Sequence, residues 1–321
     1  MPEVELKNLD KIKIEEPDVQ IGDNDVDDML INLRMQKSTW ETVDRKSKDG
    51  DRVIVDFSGE LGGEAFPGGQ GTEIPVVLGE GQMLPDFEKG LKGIKAGDEK
   101  TFKVKFPKDY HAEDLAGQKA DFSIKTHRVE ERVLPELNEE FAEMFNVTDG
   151  GLEQFIKDVR ENMEREAQQK VKNDIREQVM DSLLATNPLD IPQTLVHQEA
   201  HSLQHDAMRR MGIEDHDQAP PIETFSEAAE KRVRLGLLLR QVISDNSLKA
   251  DAARLREHVE EMCASYENAD EMVEMYLGNP QLMQQIEPVV VEQLAVEWLL
   301  ENGKVKAKKI AFKDYMNAPA S

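Results

Sequence analysis

Residues 49–132 are the one stretch of this chain in which strand-like alternation, glycine and regularly spaced aromatic residues occur together. The stretch opens with DRVIVDFSGEL, passes through the glycine-rich run GGEAFPGGQGTE and closes with KADFSIKTHRVEER. Alternation of apolar and polar residues is the pattern of half-buried strands, and glycine-rich runs are typical of the turns between strands. We therefore predict a compact sheet module within a chain whose remaining residues mostly follow helical periodicity.

A single long helix is predicted from Leu152 to about Ala185. Apolar residues occupy every fourth position along it, namely Phe155, Val159, Met163, Ala167, Val171, Ile175, Val179 and Leu183. At 3.6 residues per turn, each step of four residues advances the apolar stripe by about 40° beyond a full turn, or about 280° in seven steps. One flat partner cannot cover such a stripe, so we expect the helix to contact different neighbours along its length.

Residues that favour helix starts and helix ends divide the C-terminal half into long helices with short joints. Pro192 suits the first turn of a helix that runs to Gly212. Thr224 or Ser226 can cap the following helix, and Gly303 ends the last one. Long helices joined in this way are typical of arms built from helical hairpins.

Both ends of the chain have short strand-like patterns. Near the start, apolar residues alternate with polar ones at Val4, Leu6, Ile12 and Ile14. Asp23 or Asp25 can then cap a helix that runs through about Gln36. In the basic tail KVKAKKIAFKDYM, Val305 and Ile310 can belong to another short strand.

Composition excludes several classes of partner. The formal net charge of −25 repels nucleic-acid phosphates and anionic lipids, so we expect neither nucleic acid nor a membrane as a partner. No segment approaches the ~18 apolar residues of a spanning helix, and none has the pattern of a signal peptide, which favours a cytoplasmic location. The single cysteine, Cys263, can form no internal disulfide, and we expect it to be a core residue.

Three histidines, His197, His201 and His205, lie four residues apart and would share one face of a helix, where neighbouring imidazoles can bind one metal ion. The zinc-protease pattern requires glutamate directly after the first histidine, and Gln198 occupies that position. We therefore expect a solvated polar face with no bound metal. A metal-handling isomerase stays open as an alternative, which the low count of seven histidines disfavours.

The run QMLPDFEKGLKGIKAGDE lies between two strand patterns, with VDFSG before it and ADFSI after it. In this order the motifs resemble the FKBP-type peptidyl-prolyl isomerases. That resemblance implies an antiparallel sheet with one short helix, and a pocket that acts on the peptide bond preceding proline. It gives catalytic positions to Phe57, Phe66, Leu84, Phe87, Tyr110 and Phe122, and substrate-binding positions to Ile74 and Met83.

The resemblance also implies roles for individual pocket residues. Phe87 stands where the family often has a tryptophan at the pocket floor, Leu84 would offer its backbone N–H to the substrate carbonyl, and Tyr110 its hydroxyl at the rim. Pro67 replaces an acidic residue of many family members, which removes one polar contact. Rotation about the X–Pro bond meets a barrier of ~18–20 kcal/mol. A dry apolar pocket lowers this barrier because the twisted amide has less charge separation, and no cofactor is expected.

The order of segments along the whole chain resembles the trigger factor family: a connecting segment, an inserted isomerase module, and helical arms that end in a basic tail. This implies an α+β multidomain protein in which an FKBP-like antiparallel sheet is inserted in an elongated all-α chaperone domain with helical arms. The expected domains are residues 1–37 (linker strand and helix that pack on the C-terminal domain), 38–134 (isomerase) and 135–321 (client-binding helices with two arms). The ribosome-docking domain of the family, through which ribosome contact would occur, has no counterpart here, so we expect a truncated form, with a naturally short variant as the alternative.

The family resemblance implies an ATP-independent chaperone that binds unfolded or nascent polypeptides, and proline-containing segments at the isomerase pocket. Ten of the 14 methionines follow Leu134, and methionine side chains adapt to many shapes. Candidate client-binding residues on the arms are Leu203, Met208, Met211, Leu238, Met272, Met275 and Leu277. The alternative is a non-catalytic holdase or scaffold with an inactive FKBP-like module, and isomerisation of a short proline peptide distinguishes the two.

Overall fold

The computed structural model describes residues 5–110, 112–213, 215, 218–264, 266 and 268–318, apart from the side chain of Asp10. The chain divides into two compact units. The first is Gly22–Glu161, and the second combines Met1–Ile21 with Asn162–Ser321. Residues 22–37 and 135–161, which we expected outside the isomerase domain, therefore belong to the unit that contains the sheet.

The strands of the described residues are, in chain order, β1 (Lys13–Gln20), β2 (Thr39–Val43), β3 (Arg52–Leu61), β4 (Glu64–Val77), β5 (Glu99–Lys105), β6 (Lys119–Val133) and β7 (Lys304–Ala311). The α-helices are α1 (Asp23–Gln36), α2 (Pro85–Leu91), α3 (Glu139–Glu143), α4 (Gly151–Thr186), α5 (Gln193–Met211), α6 (Ser226–Asp245), α7 (Ala252–Cys263), α8 (Ala269–Leu277), α9 (Pro280–Asn302) and α10 (Phe312–Met316). The strand-rich stretch and the long helix thus lie where the sequence predicts them.

The strands of the first unit form one antiparallel sheet around the long strand β6. The strand order is β2-β6-β3-β4, and β5 pairs with β6 alongside β2. Helix α2 packs on one face of this sheet, where Val53, Val55, Leu91 and Val104 have no exposed surface. Alternate residues of β3 reach this face because successive side chains of a strand point to opposite sides. The arrangement confirms the expected antiparallel sheet with one short helix.

A buried carboxylate, Asp51, precedes β3. The residue is 1% exposed and accepts hydrogen bonds from the Arg45 guanidinium at 2.6 and 2.9 Å and from the Lys48 N–H at 2.9 Å. Burial acts to raise the pKa of this carboxyl, but the hydrogen bonds outweigh burial and hold the pKa below its ordinary value of 3.8. Asp51 therefore stays ionised inside the fold because Arg45 compensates its charge.

We predict that Asp51 contributes to the acid sensitivity of the sheet unit. A carboxyl whose pKa is lowered by folding stabilises the fold above its unfolded-state pKa, and this stabilisation is lost as pH falls below about 4 toward the folded-state value. Asp51→Asn should therefore lower stability at neutral pH and flatten the further loss in acid. Urea unfolding followed by Trp40 fluorescence measures both. Asp98→Asn, at an exposed carboxylate, is the control, and an unchanged acid profile for Asp51→Asn would contradict the prediction.

The second unit has its main core between β1, α4, α6 and α9. Ile12, Leu183, Leu238 and Leu299 are at most 1% exposed and lie in this core. A smaller core between α7, α8 and α9 contains Cys263, which is 1% exposed, as expected for a core residue. The unit also contains a two-stranded parallel sheet, in which β1 pairs with β7. The first and last strands of the chain therefore meet inside a mostly helical unit.

The apolar stripe of α4 contacts different neighbours along the helix, as its periodicity predicts. Six stripe residues are buried, namely Phe155, Val159, Met163, Ala167, Val179 and Leu183, and the remaining two are half-buried. Near the start of α4, the Phe155 ring lies 5.6 Å from that of Phe141 in α3. Near its end, Val179 and Leu183 belong to the main core of the second unit.

Three helix starts differ from the sequence prediction. Helix α5 begins at Gln193, so Pro192 is its N-cap and does not lie in its first turn. Helix α1 begins at Asp23 with Gly22 as its N-cap, and the Asp25 carboxylate accepts the Gly22 N–H at 2.9 Å, so neither aspartate is the cap. Helix α6 begins at Ser226 after a 3-10 turn over Ile222–Phe225, and no side chain caps it. The Ser226 N–H donates to the Glu223 carbonyl, so the 3-10 turn leads directly into the helix.

Candidate functional site

A cavity of about 510 Å³ opens between α2, the β3–β4 hairpin and the loop that follows β5. None of the described residues that line it carries a formal charge. Its larger side chains are Phe57, Phe66, Met83, Leu84, Phe87, Phe106, Tyr110, Leu115 and Phe122. We call this cavity the aromatic cup. It contains all six residues to which the sequence gives catalytic positions, together with Met83.

Phe87 lies at the inner end of the cup, where α2 meets the sheet. It is 2% exposed, and its ring makes edge-to-face contacts with Phe57 at 5.4 Å and Phe122 at 5.3 Å between centroids. Phe102 of β5 contacts the same ring at 5.7 Å. Phe87 thus both lines the cup and belongs to the core of the sheet unit. Pro85 at the first turn of α2 helps to place it, because its fixed φ suits a helix start.

The outer wall of the cup includes two partly exposed rings, Phe66 and Tyr110, which pack on buried rings. Phe66 contacts Phe106 at 6.0 Å and Phe122 at 6.1 Å, and Tyr110 contacts Phe106 at 4.9 Å. Phe106 and Leu115 were not predicted from the sequence. The alternation in KTFKVKF could have identified Phe106, because it continues the inward-facing positions of β5. Leu115 lies in an irregular loop that has no such periodicity.

The loop between β4 and α2 is held by a buried glutamate that the sequence analysis did not name. Glu88 is 6% exposed, and its carboxylate accepts the Gly79 N–H at 3.0 Å and the Met83 N–H at 3.3 Å. The neighbouring N–H of Leu84 forms no hydrogen bond with a described residue. Glu88 therefore fixes the loop that supplies Met83 and Leu84 to the wall, while one backbone donor stays available beside the cup.

Ile74 is the one predicted pocket residue that does not line the cup. It is half-buried in β4, close to Gly71, where an added Cβ would be 2.7 Å from both Ile74 and the Phe57 ring. In β3, Val55 pairs with Ile74 and Phe57 pairs with Gly71, so β4 contains one extra residue in this interval. This bulge changes which β4 side chains reach the cup.

The predicted client-binding residues differ in exposure. Met211 and Met275 are 54% and 51% exposed. The half-buried members of the set are Leu203, Met272 and Leu277. Leu238 and Met208 are only 1% and 4% exposed, because Leu238 belongs to the main core of the second unit and Met208 faces the inner side of α5. These two side chains therefore present no surface to a client in this conformation.

The second unit also has an open groove of about 560 Å³ between α4, α7 and α9. Ion pairs cross its rim from Lys172 to Glu261 at 3.0 Å and from Arg254 to Glu297 at 2.9 Å. Met262, which is 45% exposed, lies in its lining. This groove was not predicted from the sequence, because α4 is far from α7 and α9 along the chain.

The three histidines of the sequence prediction form a row on α5. His197, His201 and His205 are exposed, and the first two rings lie 4.7 Å apart. No group of three or more metal-ligating side chains suited to a metal ion occurs among the described residues. None of the helices in the described part of the chain has the length and apolar composition needed to cross a membrane.

Known sequences match both parts of the chain. The FKBP-type peptidyl-prolyl cis-trans isomerase family matches residues 43–128, and the C-terminus of bacterial trigger factor protein matches residues 151–301. The trigger factor of Idiomarina loihiensis is 46% identical over 318 residues, which cover 98% of this chain and 73% of that protein. The trigger factor of Colwellia psychrerythraea is 45% identical over 322 residues, which cover 99% and 74%.

A solved structure of the trigger factor chaperone aligns with 94% of this chain and 73% of its own, at 18% identity and a TM-score of 0.46. That likeness is too low to support an assignment, which rests on the sequence relatives instead. The identity of 45–46% extends over 98–99% of this chain. The chain therefore belongs to the trigger factor family, and it is a protein-folding chaperone with FKBP-type peptidyl-prolyl cis-trans isomerase activity that binds unfolded polypeptide clients.

Proposed function

We propose that the aromatic cup is the isomerase site, with Phe87 as its floor and Phe57, Phe66 and Phe122 as its walls. The observation that most supports this is an uncharged cavity of about 510 Å³ lined by aromatic rings. Resonance in a planar prolyl amide separates charge, and twisting that amide costs ~18–20 kcal/mol. Transfer from water to an uncharged cavity removes the solvation of the planar form, so the twisted form is relatively favoured.

Polar groups at the cup would orient the substrate. We assign the Leu84 N–H to a substrate carbonyl and the Tyr110 hydroxyl to the rim, with Met83 against the residue beside proline. Glu88 contributes indirectly, because its two hydrogen bonds to backbone N–H groups hold the loop that carries Met83 and Leu84. Ile74 would act from behind Phe57 rather than on the proline itself. The preference for proline-containing segments then follows from the shape and dryness of the cup.

We assign client binding to apolar surface of the helical region. Met211 and Met275 are more than half exposed, and Met262 lines the groove between α4, α7 and α9. Flexible methionine side chains can fit many apolar segments. Leu203, Met272 and Leu277 would add to this surface if neighbouring side chains move on binding. Weak contacts at several such places suit a holdase, because no single client sequence is required.

The division of labour that we propose has residues 38–134 as the isomerase, residues 135–321 as the client-binding domain with two arms, and residues 1–37 as the linker. This division is one of function, since residues 22–37 and 135–161 belong to the compact unit of the sheet. Binding and release need no ATP in this scheme, since no step requires more than contact with the polypeptide. A cytoplasmic location suits a protein that meets nascent chains. Ribosome contact is assigned to the docking domain of the family and to no residue described here.

The substitution Met83→Ala tests whether the aromatic cup is the isomerase site. Loss of one apolar contact of roughly 1–1.5 kcal/mol in the transition state should slow cis-trans exchange of an Ala-Leu-Pro-Phe peptide about tenfold. Exchange spectroscopy by NMR measures the rate. Met144→Ala is the matched control, because Met144 belongs to the same unit, is 51% exposed and does not line the cup. Equal exchange rates for both variants and the wild type would show that the aromatic cup is not the isomerase site.

A further inference from the structure

The outer edge of β7 has free backbone groups. The Lys304 N–H donates to the Ile12 carbonyl at 2.8 Å, and β7 runs parallel to β1 from there. In a parallel pair, alternate residues direct both backbone groups toward the partner strand, so those of Val305, Ala307 and Lys309 point away from β1. None of these three residues forms a backbone hydrogen bond with a described residue on that side.

The opposite edge of the same two-stranded sheet is closed. On β1, the Glu15 N–H donates to the Gln178 side-chain oxygen at 2.9 Å, and the Gln178 side-chain nitrogen donates to the Glu15 carbonyl at 3.0 Å. Pro17, two residues further along the same edge, has no N–H to offer. Among the described residues, β7 therefore offers the edge at which a further strand can join this sheet.

Charge determines which strand can join. Strand β7 carries Lys304, Lys306, Lys308 and Lys309 and no acidic residue, and all four lysines are exposed. Only Lys308 forms an ion pair with a described residue, to Glu15 at 2.8 Å. Lysine on an open edge opposes pairing with the same edge of a second copy, because like charges would meet. An acidic strand would instead gain ion pairs along the whole edge.

We propose that the open edge of β7 is a docking site for an extended acidic polypeptide segment, which joins the β1–β7 sheet as a third strand. Main-chain hydrogen bonds to Val305, Ala307 and Lys309 would supply register, and the lysines would select acidic sequences. This site lies in the second unit and needs no residue of the aromatic cup. It would retain an acidic stretch of a partner protein independently of prolyl isomerisation.

Peptide binding to the full chain tests the proposal. The probe is a fluorescein-labelled peptide of four Val-Glu repeats, and its binding is measured by anisotropy at low and high salt. We expect it to bind at least about tenfold more tightly than four Val-Lys repeats at low salt. The Val-Glu peptide with N-methylated amides has the same charge but cannot donate, and we expect its binding to be lost. Equal binding of the methylated peptide would overturn strand addition, and no preference for the acidic peptide would overturn the proposal as a whole.

Substitutions in β7 test whether the peptide binds at the edge of this strand. Ala307→Pro removes an outward N–H without touching the hydrogen bonds to β1, so it should weaken binding about tenfold. Ala307→Val keeps the N–H and should bind as the wild type does. Lys306→Glu with Lys309→Glu should reverse the preference toward the Val-Lys peptide. If Ala307→Pro does not fold, the methylated peptide and the charge reversal decide the matter. Unchanged binding in the charge-reversed variant would contradict the site.

Discussion

Replacing Phe87 with alanine is expected to lower the free energy of unfolding of the sheet unit by about 3–5 kcal/mol and to abolish prolyl exchange. Phe87 is 2% exposed, and three aromatic rings lie within 5.7 Å of its centroid, so its removal leaves a cavity at the junction of α2 and the sheet. Urea unfolding followed by Trp40 fluorescence, in a Trp298→Phe background that silences the second unit, measures the loss.

The effects of Phe87 on the free energy of unfolding and on the rate of prolyl exchange have to be measured separately, because the same ring contributes to both. Phe87→Leu keeps most of the volume and should lose only about 1–2 kcal/mol, yet it removes the aromatic floor and should still slow exchange. Suppression of aggregation of an unfolded client should persist in both variants, since no core of the helical unit contains Phe87. A parallel fall of chaperone activity and exchange would refute this division between the units.

Gly90→Ala is expected to destabilise the sheet unit, although alanine is the better helix former. An alanine Cβ at this position of α2 would lie 2.3 Å from the Phe102 ring, far inside van der Waals contact. Helix propensity favours the substitution by up to ~1 kcal/mol, whereas overpacking of a core costs ~1–3 kcal/mol or more. We therefore expect a net loss of stability, and slower exchange as well, because a displaced Phe102 would press on Phe87.

Gly236→Ala provides the matched control for that prediction. Gly236 lies inside α6, is exposed, and has no atom of another residue within 4 Å of an added Cβ beyond its own helix and chain neighbours. Only the propensity effect remains there, so this substitution should stabilise the helical unit by up to ~1 kcal/mol. Thermal unfolding of the two variants should thus shift in opposite directions. A stabilised Gly90→Ala variant would mean that the α2–β5 contact is looser than the structure has it.

The sequence predicts the cup better than it predicts the surfaces of the helical unit. Motif order identifies Phe57, Phe87 and Phe122 because their spacing is tied to strands and to one short helix. Ile74 is misplaced, since an extra residue in β4 changes the face of the strand and leaves no mark on the apolar-polar pattern. Leu238 and Met208 are apolar residues on helices, and periodicity alone does not tell which part of an apolar stripe is covered by a neighbour.

Glu88 illustrates what composition cannot reveal. Its carboxylate lies in the short helix α2, and its partners are backbone N–H groups of a loop. Every residue except proline has a backbone N–H, so a backbone hydrogen-bond partner cannot be recognised from the sequence. The groove between α4, α7 and α9 cannot be predicted from the sequence either, because each helix alone has the pattern of an ordinary amphipathic helix. Contacts between segments that are far apart along the chain are therefore the part of this structure that the residue pattern does not predict.

The pairing of β1 with β7 has a consequence for the order in which this protein can form during synthesis. The Lys308–Glu15 ion pair joins positions 293 residues apart, and β1 has no other strand partner among the described residues. The sheet unit uses residues 22–161 and is complete once they have emerged. Strand β1 therefore remains unpaired until β7 has been translated, near the end of synthesis. Because loop closure over that distance costs entropy, we expect the pairing of β1 with β7 to be a slow and late step of folding.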